Sequence, residues 1–185
     1  MSKVTIQGDA SGTGIFTIAS PNSNTDRTLV LPDEAGTVLT SATPGVPVNG
    51  PAFSSYTTVS QNVSANTPTK IQLNAEIFDT NACFDTGSYR FTPNVAGYYQ
   101  INACIYFTGS IGQYTVIEIY KNSSVYSGIN TQRANGNYNS VSWSDIMYMN
   151  GSTDYIELYG YDSAACSTLA GQGRSYFSGA LVRAA

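Results

Sequence analysis

From Gly97 to Phe107 the chain reads GYYQINACIYF, and it divides by parity. Tyr99, Ile101, Ala103, Ile105 and Phe107 fall on one side, and Tyr98, Gln100, Asn102, Cys104 and Tyr106 on the other. A period of two sends alternate side chains to opposite faces of an extended strand. A helix would need apolar residues every three or four positions, so this stretch is a strand with one apolar face. The alternation recurs along the chain, broken by Gly, Asn and Thr about every eight to twelve residues, and helical periodicity is nearly absent. That pattern predicts an all-β sandwich or barrel.

From residue 51 onward it places ten strands, at 52–57, 62–65, 69–74, 89–92, 97–108, 113–121, 124–131, 140–149, 154–161 and 175–182. Gly97 reads as the residue without a Cβ that a strand needs at a tight corner. Pro93 stops the preceding ladder from running through the turn. The face of Tyr98, Gln100, Asn102, Cys104 and Tyr106 is too apolar for plain solvent surface and too polar for plain core, which suits a contact between subunits.

Before that domain, residues 1–40 hold short strand candidates in VTIQ, GIFTIA, TLVLP and GTVLT. SATPGVPVNGP, at 41–51, is a linker by its prolines and glycines. Forty residues are too few to bury a core alone, so this small module needs copies of itself or a host surface.

Only 11% of residues are charged, against roughly a quarter in ordinary soluble chains. Solubility therefore rests on hydroxyls and amides, including those of 14 tyrosines. The net charge is −4 and the eight basic residues are scattered, so no stripe follows a phosphate backbone and nucleic acid is not expected as a partner. The opening MSKVTIQGD has neither the charged nor the apolar part of a secretory leader. No apolar run nears the roughly 20 residues of a membrane-spanning helix. With no histidine in the chain, Ser-His-Asp and Cys-His nucleophiles and His-ligated metals are excluded. The three cysteines, Cys83, Cys104 and Cys166, have no framework spacing and read as free thiols.

Four segments, in order, resemble the globular head of complement C1q. PAFSSY (51–56) is similar to its opening strand. FDTGSYRFTPNVAGYYQI (84–101) resembles its central signature of an aromatic residue before Asp, a Gly-bearing turn, Phe, Pro and then Gly-x-Tyr-x-apolar. NGSTDYIELY (150–159) resembles its Gly-Asp-x-apolar-x-apolar strand, and SYFSGALV (175–182) its closing FSG strand. The resemblance implies a ten-stranded antiparallel jelly-roll sandwich related to tumour necrosis factor, assembled as a homotrimer. It also implies core or trimer-axis positions for Phe91, Tyr99, Ile101, Phe177 and Gly179. Animal members usually follow a collagen stalk, and this chain has no such Gly repeat. Instead GTGIFTIASPNSNTDRTLVLPDEAGTVLTS (12–41) resembles a short β module of tail-fibre and other virion proteins of tailed bacteriophages, especially cyanophages. The ending LVRAA suits a fibre tip.

If both ends of the domain lie together, loops 108–113, 132–140 and 162–174 share the far end. They carry Gln113, Tyr114, Arg133, Asn135, Asn137, Tyr138, Asp162, Ser163 and Arg174. Tyr, Ser, Gly and Asn are the residues that adaptable binding surfaces favour, and aromatic faces beside amides suit sugars. An ordinary solvated set of loops is the plain alternative. Trp143 alternates with Val141, Met147 and Met149 and reads as packing. Asp79 with Asp85, and Asp154 with Glu157, are pairs of the kind that hydrolyse glycosides, yet with so few acids strand and turn roles are preferred. Asp162 is a candidate for the apical calcium that some C1q-like heads bind, but the acids are too sparse for a dedicated site. No catalytic residue, metal ligand or cofactor is assigned. The Asn-x-Ser patterns at Asn62, Asn122 and Asn150 are chance products of a polar composition.

The expectation is a non-enzymatic virion fibre protein, assembled in a bacterial cytoplasm. The module at 1–40 anchors or extends the fibre, and residues 1–45 bind other virion proteins. The linker spans 41–51, and the domain at 52–185 is a trimeric knob adhering to a host glycan or protein. The alternatives are a head fibre or capsid decoration protein, a glycan depolymerase using Asp85, Asp145, Asp154 and Glu157, and a secreted signalling trimer.

Overall fold

The structure, a computed structural model, describes residues 11–13, 15, 24–26, 28, 50–109, 112–132 and 137–185. The chain divides into two compact units, Met1–Val38 and Leu39–Ala185. The strands expected within residues 1–40, nearly all of the linker, Arg133 and Asn135 lie outside the described residues.

Among the described residues every regular element of the second unit is a strand. In chain order these are β1 (Ala52–Tyr56), β2 (Asn62–Val63), β3 (Thr69–Lys70), β4 (Ala75–Asp79), β5 (Phe84–Asp85), β6 (Arg90–Phe91) and β7 (Gly97–Thr108). There follow β8 (Tyr114–Lys121), β9 (Ser124–Gln132), β10 (Tyr138–Met149), β11 (Ile156–Asp162), β12 (Cys166–Ser167) and β13 (Tyr176–Ala184). One sheet runs β10-β7-β13-β1-β4, and a second runs β5-β6-β11-β8-β9 with β3 also on β11. A third ladder joins β2 to β12. Every one of these strand pairs is antiparallel. The last strand sits between β1 and β7, and β11 beside β8, so the connections cross between two sheets as a jelly roll requires.

All ten expected strands are present, some of them shortened. Three more were not foreseen: β4, β5 and β12. β5 and β12 have two residues each, too short to display a period. β4, AEIFD, is an edge strand whose register against β1 shifts at a bulge between Ser54 and Ser55, which blurs its alternation.

The core follows from parity. The inward set of β7 meets Trp143, Met147 and Met149 of β10, Phe177 of β13 and the Ile117, Ile119, Ile156 and Leu158 set of the second sheet, all buried. Phe53 stacks on Phe91 at 4.2 Å and on Phe84 at 5.2 Å, and meets the edge of Phe177 at 5.2 Å. Rings in such arrangements add to the burial of their own area. Trp143 donates its indole N–H to Ser127 Oγ at 3.1 Å, so its polar edge is satisfied inside the fold.

Gly97 has a different cause from the one its sequence context suggests. A Cβ there would stand 2.4 Å from the Arg183 carbonyl oxygen of the paired strand β13. Close approach of a neighbouring backbone, and not a corner, demands the glycine. Gly179 is likewise walled by Ile101 Cδ1 at 2.5 Å.

On the outer side of the second sheet, Glu157 is nearly buried and accepts from Lys70 at 2.6 Å and Arg90 at 3.3 Å. The Arg90 guanidinium lies 4.2 Å from the centre of the Tyr155 ring. Beside them Tyr120 stacks on Tyr159 at 3.9 Å.

Candidate functional site

Two surfaces stand out, one broad and one concave. The broad one is the outer face of the β10-β7-β13-β1-β4 sheet. Register places Ile146 beside Gln100, Gln100 beside Ala180, and Ala180 beside Ala52. The next row is Ser144, Asn102, Ser178, Ser54 and Phe78. At its centre Gln100 Nε2 donates to Ser144 Oγ at 2.9 Å, and Ser144 Oγ donates to Asn102 Oδ1 at 2.8 Å. Around this polar centre Ile77, Phe78, Tyr98, Ile146, Tyr148 and Val182 are between 44% and 59% exposed. Tyr98 and Tyr148 meet edge to face at 5.6 Å. A depression of about 200 Å³ lies in the middle, between Phe78, Gln100 and Asn102 and the small residues Ala52, Ser178, Gly179 and Ala180.

Phe91, Tyr99, Ile101 and Phe177 are not on this face. Each is 0% exposed inside the sandwich, and Gly179 packs on Ile101 beneath it. Of the two roles that the C1q resemblance implied for these residues, they hold the core one.

The concave surface is at the end remote from Gly50 and Ala184. There β1, β7 and β11 end while β8, β10 and β13 begin, which puts 109, 112–113, 137 and 163–175 at that end; the rest of the expected 132–140 loop up to 136 lies outside the described residues apart from Gln132. The segment 57–68, which includes β2, joins them and was not anticipated. β2 pairs with β12 through Val63 with Cys166 and Asn62 with Ser167. The ladder docks on the end of β7: Ser167 N donates to Thr108 Oγ1 at 3.0 Å, and Thr108 Oγ1 donates to the Ser167 carbonyl at 3.1 Å. Between them opens a groove of about 450 Å³ lined by Asn62, Val63, Ser64, Thr108, Gly109 and Ala165–Ser167. Its only hint in the sequence is Val63, a lone buried apolar residue in a polar stretch.

The expected far-end residues separate into three groups. Tyr114 and Tyr138 are 53% and 56% exposed at the rim; Asn137 and Arg174 are exposed and Gln113 is half-buried. Ser163 braces the rim, with its N–H on the Tyr114 carbonyl at 2.9 Å and its Oγ accepting from Tyr114 N at 3.0 Å. Asp162 is 0% exposed. Its carboxylate accepts from Ala164 N and from Thr115 Oγ1, each at 3.0 Å, so it holds the loop from beneath. Asp162 is thus a buried carboxylate bracing the loop, not an exposed residue of the tip surface.

The carboxylates of the two candidate pairs have local partners. Asp79 accepts from Phe84 N at 2.7 Å, and Asp85 from Ser88 Oγ at 2.6 Å. Asp154 pairs with Lys121 at 2.9 Å and Glu157 with Lys70 and Arg90. Among the described residues no three of His, Cys, Asp and Glu gather closely enough to hold a metal ion. Cys83 and Cys104 are buried free thiols, and Cys166 is half-buried in the groove. Among the described residues no helix is long and apolar enough to cross a membrane.

No protein-family model matches the chain, and no curated protein matches it. Solved structures do. The globular domain of zebrafish complement 1qA is similar over 73% of this chain and 99% of its own, with a TM-score of 0.56 at 15% identity. Eiger TNF from S. frugiperda is similar over 74% and 96%, with a TM-score of 0.57 at 10% identity. Murine APRIL at pH 8.5 is similar over 72% and 100%, with a TM-score of 0.55 at 9% identity. At these identities the likeness establishes the fold: this is a jelly-roll sandwich of the C1q and tumour-necrosis-factor type.

Proposed function

We propose that this chain is a structural, non-enzymatic fibre protein of a tailed bacterial virus. Residues 1–45 bind other virion proteins, three copies of the 52–185 domain form a knob, and the far-end loops adhere to a host surface. One observation carries the assembly. Within the described residues, no charged side chain projects from the two central rows of the outer sheet face, and exposed Tyr, Ile and Phe surround them. A face depleted of charge at its centre and enriched in aromatic residues has the composition of a subunit interface. The depression beside Ala180 offers a socket for a side chain of a neighbouring copy. Similarity to the heads of complement 1qA and Eiger TNF supports a compact recognition module, and the 12–41 resemblance supports the virion setting. Adhesion then works by multivalency, since three tip sites per fibre raise the effective concentration of weak contacts.

Light scattering on the full chain tests the assembly, and labelled chain on a panel of bacterial cells tests the adhesion. The expected results are three times the chain mass and retention on at least one strain. Ala180→Arg would put a charge into the socket, giving a folded monomer whose retention drops by about a hundredfold through lost avidity. A monomeric wild type, or a trimeric Ala180→Arg variant, would sink the proposed interface.

A further inference from the structure

We propose that the far-end groove between β2, β12 and the end of β7 is a binding site for a neutral saccharide. The inference deepens the adhesive reading above and rests on it. At about 450 Å³ the groove lies within the range of roughly 300–1,000 Å³ that small-molecule clefts occupy. Among the described residues its lining holds no Asp, Glu, Lys or Arg. A charged ligand would leave water there without an opposite charge among the described residues to meet it. A wholly apolar ligand fares no better, because the Ser64 hydroxyl and the Asn62 amide N–H groups would be cut off from water. The chemistry that fits is a ring with neutral hydroxyls and apolar C–H faces.

The groove supplies both kinds of contact. Ser167 Oγ donates to Asn62 Oδ1 at 3.0 Å, which fixes the Asn62 amide and leaves its N–H donors for a ligand hydroxyl. Val63 and Ala165 give apolar lining. Beyond the lining, two exposed tyrosines sit on strand ends at the same end of the sandwich. Tyr138 lies directly across from Thr108, and Tyr114 is bonded to Ser163, two residues from Ala165. The floor is preorganised by the paired Thr108–Ser167 bonds, which limits the ordering cost of binding.

Cys166 makes the test direct, because it lines the groove while Cys83 and Cys104 are buried. The full chain is applied to a printed array of neutral and acidic oligosaccharides. Retained probes are then added during iodoacetamide labelling, and alkylation of each cysteine is followed by peptide mass spectrometry. The inference expects retention of a neutral saccharide and Cys166 alkylation about tenfold slower at about ten times its Kd. In Ala165→Trp, an exposed position, the groove is filled and affinity falls by at least about tenfold. Retention of acidic saccharides alone overturns the inference. So does neutral binding that neither protects Cys166 nor responds to Ala165→Trp, since the sugar then binds elsewhere. Chain that retains no saccharide yet still adheres to cells also overturns it, while leaving the adhesive reading intact. Chain that does neither removes both.

Discussion

Tyr99 is fully buried and still has a phenol to satisfy. Its hydroxyl donates to the Val95 carbonyl at 2.7 Å, while its ring meets the edge of Phe91 at 5.6 Å. Burial first, and then the nearby Cys83 thiol, push its pKa from 10.0 up to about 12. The sign follows from which state gives up the proton. In the unfolded chain the phenol ionises near 10, whereas the folded chain holds its proton to about 12. Stability from Tyr99 is therefore complete below pH 10 and is lost progressively between 10 and 12. Burial also raises Tyr120 and Tyr159, reinforced by Glu118 and Glu157 respectively, and steepens the same limb. Tyr99→Phe should lose about 1 kcal/mol at neutral pH with the hydrogen bond. It should also decline less steeply than wild type above pH 10. Urea midpoints across that range measure both, and parallel curves for the two proteins would refute the account.

At the scale of elements, the long strands were legible throughout, whereas of the short ones β2, β3 and β6 were placed and β4, β5 and β12 were missed. β7, β8, β9 and β10 have enough residues to display their alternation, and their apolar parity became the core. β3 and β6 have two residues each and are held to β11 by a few ladder bonds and one side chain. That side chain is Glu157, whose carboxylate spans Lys70 of β3 and Arg90 of β6. Its sequence context, one acid in an alternating strand, reads as solvent-facing, and only the fold brings the two cations over it. Removing one partner of a desolvated ion pair costs roughly 3–5 kcal/mol when both charges are buried. Here Lys70 and Arg90 keep 26% and 36% of their side-chain surface exposed, so water recovers part of that. Glu157→Gln should lose about 2 kcal/mol in urea unfolding at neutral pH. It should also speed amide exchange in β3 and β6 more than in β7. A loss within about 0.5 kcal/mol would mean that the cluster behaves as an ordinary surface pair.

For the whole molecule, the sequence reached the sandwich, but not the groove at its far end. A groove built from 62–64, 108–109 and 165–167 joins segments whose proximity is fixed only by the crossing of strands between sheets. No local period encodes that. The same long-range logic decides where the chain can be cut. Gly50 packs on Leu181, where a Cβ would meet Leu181 Cδ2 at 2.3 Å, and Leu181 N donates to the Pro51 carbonyl at 3.0 Å. The Gly50 carbonyl also accepts from Thr80 Oγ1 at 3.4 Å. The first strand thus starts inside the packed domain, and a cut after Gly50 would strip a contact from β13. A chain of residues 50–185 keeps the whole outer face of the five-stranded sheet. If that face drives assembly, light scattering should give three times the mass of the shortened chain, with a urea midpoint that rises with protein concentration because unfolding is coupled to dissociation. If the shortened chain is folded but monomeric while the full chain is trimeric, assembly belongs to residues 1–49. The uncharged face would then need another occupant, and Ala180→Arg would leave the mass of the full chain unchanged.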